Sequence, residues 1–373
     1  MPRVAAFTDT YLPTVNGVTY TVKTWRERWQ ARGGRMDIVF PRASGYSPEQ
    51  GEYAVRSLPF PFYDGFYLGT PSVPAAVEDV DIVHAHTPFA LGLGALRLAR
   101  DLEAPFITSY HTPTSEYAEY LAQREFLSNG LGRIAESYER WFFGQANTVL
   151  VPSKDTKRHL TDGVGIETRV EVVPNGVDIE TFRPTDGEEF RRKHDIDEDR
   201  LLVGYTGRHG FEKSLGSILD AVADLDYDVT VVFGGDGPAR ETLEARAADM
   251  AMDIRFLGFL DREDLPAFYA ALDVFAFPSP VETQGIVALE ANAAGTPVVA
   301  VNAGALADTV VDGENGYHFE PGDIAGFRDG IERALANREA LSKNCVARRD
   351  EISVEAAVDQ LLDIYERELA QYS

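Results

Sequence analysis

Short apolar runs rich in β-branched residues alternate along this chain with helix-periodic stretches, and that alternation limits its fold more than any other feature. The runs are RVAAFTD (3–9), MDIVF (36–40), DIVHAH (81–86), FITSYH (106–111), TVLVPS (148–153) and VEVVPN (170–175). Continuous apolar strands separated by helices are what a parallel sheet with crossover connections requires. A second series follows: LLVGYTG (201–207), VTVVFGG (229–235), IRFLGFL (254–260), VFAFPS (274–279) and PVVAV (297–301). Between the series lies 174–186, with two Pro, an Asn-Gly and no helical period, which reads as a linker. The expectation is α/β, with Rossmann-like halves at 1–178 and 186–353. Apolar spacing in VEAAVDQLLDIYERELAQ makes 354–373 a terminal helix. Residues 3–32 and 201–225 repeat one layout: strand, Gly-containing turn, amphipathic helix. In parallel sheets the ligand crevice lies beyond strand carboxyl ends, where such turns sit.

Charge disfavours several partners. The chain carries 60 acidic and 35 basic residues, a formal net charge of −25, which disfavours non-specific binding to nucleic acid or anionic lipid headgroups through bulk charge, so any phosphate must be captured locally. Six of the basic residues are Lys and the rest Arg. A carboxylate-crowded surface self-repels in dilute buffer, whereas at about 1 M salt the screening length shrinks to about 3 Å. The composition thus predicts a salt-requiring fold of halophilic, archaeal character; the plainer reading is an acidic cytosolic protein. Cys345 is the single cysteine, which rules out an internal disulfide and a cysteine-rich metal site. MPRVAAFTDTYLP lacks a basic-then-apolar leader layout, and no apolar stretch approaches the roughly 18 residues that span a bilayer. A cytoplasmic location is expected.

The richest segment for chemistry is PSPVETQGIVALEANAAGTPVV (278–299). A strand ends in Pro-Ser, a loop holds Glu282 and Gly285, and a small-residue helix begins. Backbone N–H groups of Gly285, Ile286 and Val287 at a helix N-terminus suit phosphate oxygens. Glu290, more than one turn further on, could accept hydrogen bonds from vicinal hydroxyls. A plainer reading makes Glu282 a capping carboxylate and Glu290 an exposed helix residue.

The Glu282-x7-Glu290 spacing after a Pro-Ser strand end resembles the signature of GT-B glycosyltransferases of family 4. Other segments stand in that family's order: PTVNGV, SYHT, VPSKDTKRHL, VVPNGVD, YTGRHGFEKS, FGGDGPARETL, FLGFL and GTPVVAVNAGALADTVVDGENGYHF. The resemblance covers about 3–319. It implies two Rossmann-like domains facing across a cleft, a nucleotide-sugar donor held mainly by the C-terminal one, and transfer with retention of anomeric configuration. It also implies a terminal helix that crosses back to the N-terminal domain. Arg208 and Lys213, which follow a strand five residues apart, match the family's cations for the departing diphosphate; alone they would read as a solvated loop. By the same resemblance His111 contacts the transferring sugar or the acceptor oxygen, Gly17 abuts the donor, and backbone groups from Leu257 through Gly258 to Phe259 meet the base. Two departures stand out. Ser214 follows Lys213 where the family has Gly, and Asn16 replaces the first of two glycines, which predicts a different loop or an added side-chain contact.

Competing signals are weaker. His84 and His86 share one side of a strand end, but no third metal ligand is evident, so packing or acceptor contact is the better reading. The Asp-x-Asp pairs at Asp79 and Asp81, Asp195 and Asp197, and Asp224 and Asp226 suggest metal-dependent transfer, yet acidic pairs are common in this composition. Gly235-x-Gly237 has Arg240 where a dinucleotide fingerprint needs a third small residue, which disfavours nicotinamide. No cofactor and no essential metal are expected; the nucleoside-diphosphate sugar is a substrate.

The acceptor is read from two segments. LPFPFYDGFYLGTPS (58–72) places Phe62 and Tyr63 among Pro and Gly, too irregular for a helix or regular strand, as a loop that stacks on sugars, enters a lipid interface or is pinned to its own domain. SYHTPTSEYAEYLAQ (109–123), with Tyr110 and Tyr117, resembles the acceptor region of members that glycosylate diacylglycerol-type lipids. The expected reaction moves a hexose to a lipid, lipid-linked or glycan hydroxyl, with peripheral, apolar contact at the inner face of the membrane. The alternatives are a sugar-nucleotide epimerase of the same fold and a non-catalytic nucleotide-sugar binder. No oligomeric state is specified.

Overall fold

The computed structural model describes residues 1–14, 16–59, 67–111, 128–197 and 199–372. It divides into one unit of Met1–Asn175 with Val354–Ser373 and a second of Gly176–Ser353. The first is built on seven parallel strands: β1 (Arg3–Phe7), β2 (Arg35–Pro41), β3 (Glu52–Val55), β6 (Ile82–Ala85), β7 (Phe106–Ser109), β8 (Thr148–Val151) and β9 (Arg169–Val172), in the order β3-β2-β1-β6-β7-β8-β9. The second has β10 (Leu201–Thr206), β11 (Val229–Gly234), β12 (Asp253–Gly258), β13 (Val274–Phe277), β14 (Val298–Val301) and β15 (Gly316–Phe319), in the order β12-β11-β10-β13-β14-β15. Both are doubly wound. The order reverses between β1 and β6 in one sheet and between β10 and β13 in the other, and those are the points where such sheets bind ligands.

Alternation along the strands assigns the core. Ala5 and Phe7 of β1 join one apolar cluster with Leu91 and Phe142, while Val4 and Ala6 join another with Trp25 and Trp29. The helix Val354–Tyr372 belongs to that second cluster through Val354, Val358, Leu361, Ile364 and Tyr365. The ring of Tyr365 lies edge-on to Trp29 at 5.4 Å. Each such buried side chain contributes about 1.5–3 kcal/mol, which outweighs the half-exposed pair of Arg28 Nε and Glu355 at 2.7 Å on the rim.

Two edge strands, β3 and β15, were not foreseen. EYAV and GYHF are too short and too mixed to stand out from turn-rich surroundings. Of the segment 58–72 expected as a loop, the described flanks pair antiparallel, β4 (Ser57–Pro59) with β5 (Tyr67–Gly69), and 60–66 lie outside the described residues. The Asp-x-Asp pairs find a charge-pairing role: Arg3 binds Asp79 and Asp81, and Arg328 binds Asp224. No helix among the described residues is long and apolar enough to cross a membrane.

Candidate active site

In the second unit, the chain leaves β10 through Gly207 into a short turn, Phe211–Lys213, and reverses at Ser214. Ser214 has φ +54°, the left-handed conformation that L side chains resist. That geometry explains why a glycine suits this position, and here serine adopts it. Beyond β13, Gly285 has φ +71° and caps the helix Ile286–Ala293. A Cβ there would meet Leu306 Cδ2 at 2.6 Å, so both backbone twist and packing demand glycine.

Across the switch point these two loops meet. Lys213 Nζ donates to Glu282 Oε1 at 2.7 Å, and the side chains are only 18% and 16% exposed. Glu282 therefore holds a lysine rather than serving as a plain helix cap. Beside it, the N–H groups of Gly285, Ile286 and Val287 carry no hydrogen bond among the described residues. They are the unfilled donors of a helix N-terminus. Arg208 is tied to Glu212 of its own loop. The hydroxyl of Tyr205, raised out of its ordinary range chiefly by burial, also feels the charges of Glu282, Glu212 and Arg208. Tyr205 itself belongs to the apolar core of the second unit, as its place inside LLVGYTG suggests.

Glu290 corrects the exposed alternative, because it is buried. Its Oε2 accepts from the Tyr269 hydroxyl at 2.8 Å and Oε1 from Arg262 at 3.4 Å. Burial raises its pKa, against the pull of Arg262 and the Tyr269 hydrogen bond. Tyr269 and Arg262 lie on distant sequence and gave no prior signal. At the end of β12, Gly258 has φ +73° and its carbonyl accepts from Gly235 N–H at 2.7 Å, while Leu257 is half-buried and Phe259 is 74% exposed.

The first unit presents its own switch point. Gly17 opens the helix Gly17–Ala31, and Asn16 caps it, its Oδ1 accepting from Thr19 N–H at 2.9 Å while its amide donates to Thr10 at 2.7 Å. Asn16 is therefore spent on the fold. Asp9, after β1, accepts from the Thr87 hydroxyl at 2.7 Å and from Leu91 N–H, which caps the helix Ala90–Leu102; burial pushes its carboxyl up to about 6.

Alternation also sorts β7 and its extension. Phe106 and Tyr110 turn into one core, where Tyr110 lies edge-on to Phe143 and its hydroxyl reaches Glu139 at 3.4 Å. Tyr110 is buried, yet with His111 it lines a small pocket at this strand end. His111 takes the opposite face and meets His86 Nδ1 through Nε2 at 3.1 Å. His84 is held at both nitrogens, by Tyr365 at 2.6 Å and Ser109 at 2.8 Å, so it packs rather than ligates. Among the described residues no group of three or more His, Cys, Asp or Glu is placed to hold a metal. Burial depresses His84 to about 3 and His111 to about 4, and moves His86 in the same direction. Phe62, Tyr63 and Tyr117 lie outside the described residues.

Residues 186–349 match the family described as glycosyl transferases group 1, and 15–181 match Glycosyltransferase Family 4. A GDP-mannose-dependent alpha-mannosyltransferase of Mycolicibacterium smegmatis is 30% identical over 100% of this chain and 99% of its own. The chain belongs to the family 4 glycosyltransferases. This glycosyltransferase is also 29% identical to an alpha-monoglucosyldiacylglycerol synthase of Streptococcus pneumoniae, over 87% of its own length and 77% of the relative's. Sucrose-phosphate synthase from Thermosynechococcus elongatus matches 99% of it with a TM-score of 0.79 at 22% identity, a likeness of fold covering all of that chain. The fold is GT-B.

Proposed function

We propose that this glycosyltransferase moves a hexose from a nucleoside-diphosphate sugar to a lipid, lipid-linked or glycan hydroxyl, with retention of configuration. The observation that carries the donor is the Lys213–Glu282 pair beside three unfilled helix N–H groups at a sheet switch point. An ammonium has three donors and Glu282 takes one, which leaves two for phosphate oxygens. As the C1–O bond to the β-phosphate breaks, charge grows on the leaving oxygen, and these donors stabilise it without reorganising. Glu290 accepts from ribose hydroxyls in this reading, with the lone pairs that Tyr269 and Arg262 leave free.

Retention rests on the family to which the chain belongs. Burial lowers His111 to about 4, which suits a residue that orients a hydroxyl better than one that serves as a base. On the retained face the acceptor proton leaves with the departing phosphate oxygen, and His111 orients a hydroxyl. The alternatives without transfer lose ground beside relatives named as mannosyltransferases.

For the acceptor, the relative named as a synthase of alpha-monoglucosyldiacylglycerol is one support. A second is an open groove of about 690 Å³ in the first unit, lined in part by Arg42, Arg56, Leu58 and Tyr67. Parallel register sets Pro41 beside Val55, so Arg42 and Arg56 follow side by side. Neither pairs with a carboxylate among the described residues, although acids outnumber bases nearly two to one. With Leu58 74% exposed next to them, the groove suits an anionic amphiphile at a membrane's inner face. The test is to screen nucleotide sugars for thermal stabilisation in molar KCl, then incubate the best one with extracted lipids and identify products by mass spectrometry. A hexosylated lipid with released nucleoside diphosphate supports the reading. Nucleotide release without glycosylated product, or activity on soluble sugars alone with no vesicle binding, counts against it.

A further inference from the structure

His86, which no sequence signal distinguishes from His84, is placed to control His111. The two stand on adjacent strand ends, since β6 and β7 pair Ala85 with Thr108. Their rings are near-parallel, 13° apart with centroids at 5.4 Å, and His84 stacks on the far side of His86 at 4.1 Å. Trp25 packs against both His84 and His86. His84 is itself fixed by Tyr365 from the terminal helix and by Ser109. The stack has no freedom to turn.

Two neutral imidazoles in contact through Nδ1 of one and Nε2 of the other share one proton. Burial keeps all three rings neutral, so only the side on which that proton sits is open. If it sat on His86 Nδ1, His111 would carry its own proton on Nδ1. Among the described residues that nitrogen is buried and has no partner, whereas His86 Nε2 is not a buried atom without a partner. An orphaned buried N–H is the arrangement folded proteins avoid most consistently. With the proton on His111 Nε2 instead, His86 keeps its proton on Nε2 and His111 Nδ1 is a bare lone pair.

We propose that His86 is a positioning residue which accepts the Nε2 proton of His111 and so leaves His111 Nδ1 as an acceptor for a ligand hydroxyl. A small pocket bounded by Val18, Thr87, Phe89, Tyr110, His111 and Phe143 adjoins this ring. The hydroxyl's source, sugar or acceptor, rests on the glycosyl-transfer reading; the tautomer does not.

The experiment has two arms. Long-range proton–nitrogen spectra of histidine-labelled full-length protein, with His111 assigned through His111→Gln, read the tautomer directly. The expected result is His111 and His86 both protonated at Nε2, and His111→Gln removing one signal pair. A proton on His111 Nδ1 overturns the proposal. In the second arm, His86→Phe keeps the stack but removes the acceptor, whereas His86→Asn restores an acceptor oxygen where Nδ1 stood. His86→Phe is expected to lower kcat on the order of 10- to 100-fold with the donor KM little changed, and to mix the His111 tautomers. His86→Asn recovers most of that turnover. Equal losses in both variants, or His86→Phe at wild-type kcat with an unmixed tautomer, contradict the proposal. Wild-type protein that transfers no sugar would sink the functional reading while the spectra still decide the tautomer.

Discussion

Lys213 is the residue whose removal is most informative. In the free protein its Nζ sits 2.7 Å from Glu282 Oε1 with both side chains more than four-fifths covered. A hydrogen bond between charged groups at such a site is worth about 1.5–3 kcal/mol, so Lys213→Ala should cost about 2 kcal/mol of stability and lower the second unit's melting temperature by roughly 4–8 °C. Most of that cost arises because Glu282 is left unpaired. Glu282→Ala in the same chain should therefore restore part of it. Activity is expected to behave differently. Loss of one preorganised donor to a developing oxyanion costs about 10²–10³ in kcat, and the double variant should be no better than Lys213→Ala. Steady-state kinetics of nucleoside-diphosphate release, paired with thermal melts of all three variants, separate the two effects. A Lys213→Ala enzyme within fivefold of wild-type kcat, or a double variant that regains activity along with stability, would refute the leaving-group argument and reduce the pair to a structural bridge.

Other expectations follow from single features. Ser214→Gly relieves a left-handed L residue, a strain of about 1–2 kcal/mol, against about 0.5–1 kcal/mol of added chain entropy, so denaturant melts should show a net gain of about 0.5–1 kcal/mol. Gly285→Ala should destabilise by more than about 1 kcal/mol and weaken donor binding, as titration calorimetry would read, because Leu306 Cδ2 stands 2.6 Å from the new Cβ. The buried histidines make stability pH-dependent: with His84 at about 3 and His111 at about 4, the unfolded chain, near 6.5, takes up protons first as pH falls. Their contribution is complete above pH 6.5 and declines through the acid range, by about 2 kcal/mol each from pH 7 to 5. Asp9 opposes this, since a carboxyl at about 6 protonates first in the native state and returns about 1 kcal/mol over the same interval. Urea melts at pH 7 and 5 should show the net fall, and Asp9→Asn should steepen it. Finally, with a net charge of −25, the melting temperature should rise steeply from dilute buffer to molar KCl; a flat response would remove the salt-adaptation reading.

The parallel sheets were legible because β1, β10 and their neighbours are unbroken apolar runs, and Glu282 with Glu290 at fixed spacing marked the loop of the candidate site. The edge strands escaped because half-exposed tetrapeptides such as EYAV carry no period. Partners escaped for another reason: nothing local in sequence links Glu290 to Tyr269, or His84 to Tyr365, since only tertiary packing brings them together. Tyr110 and its neighbour His111 take opposite faces, a distinction that depends on strand register. Asn16 and Ser214 show departures from a glycine pattern absorbed in opposite ways, one by a helix cap and the other by strain.

The most direct test of the account is the anomeric configuration of the product. With an α-linked nucleoside-diphosphate hexose that the wild-type protein turns over in molar KCl, proton NMR of the purified glycoside should show an α linkage, and Lys213→Ala should form the same product slowly. A β-linked product would contradict the account, because transfer with retention keeps the α configuration of the donor.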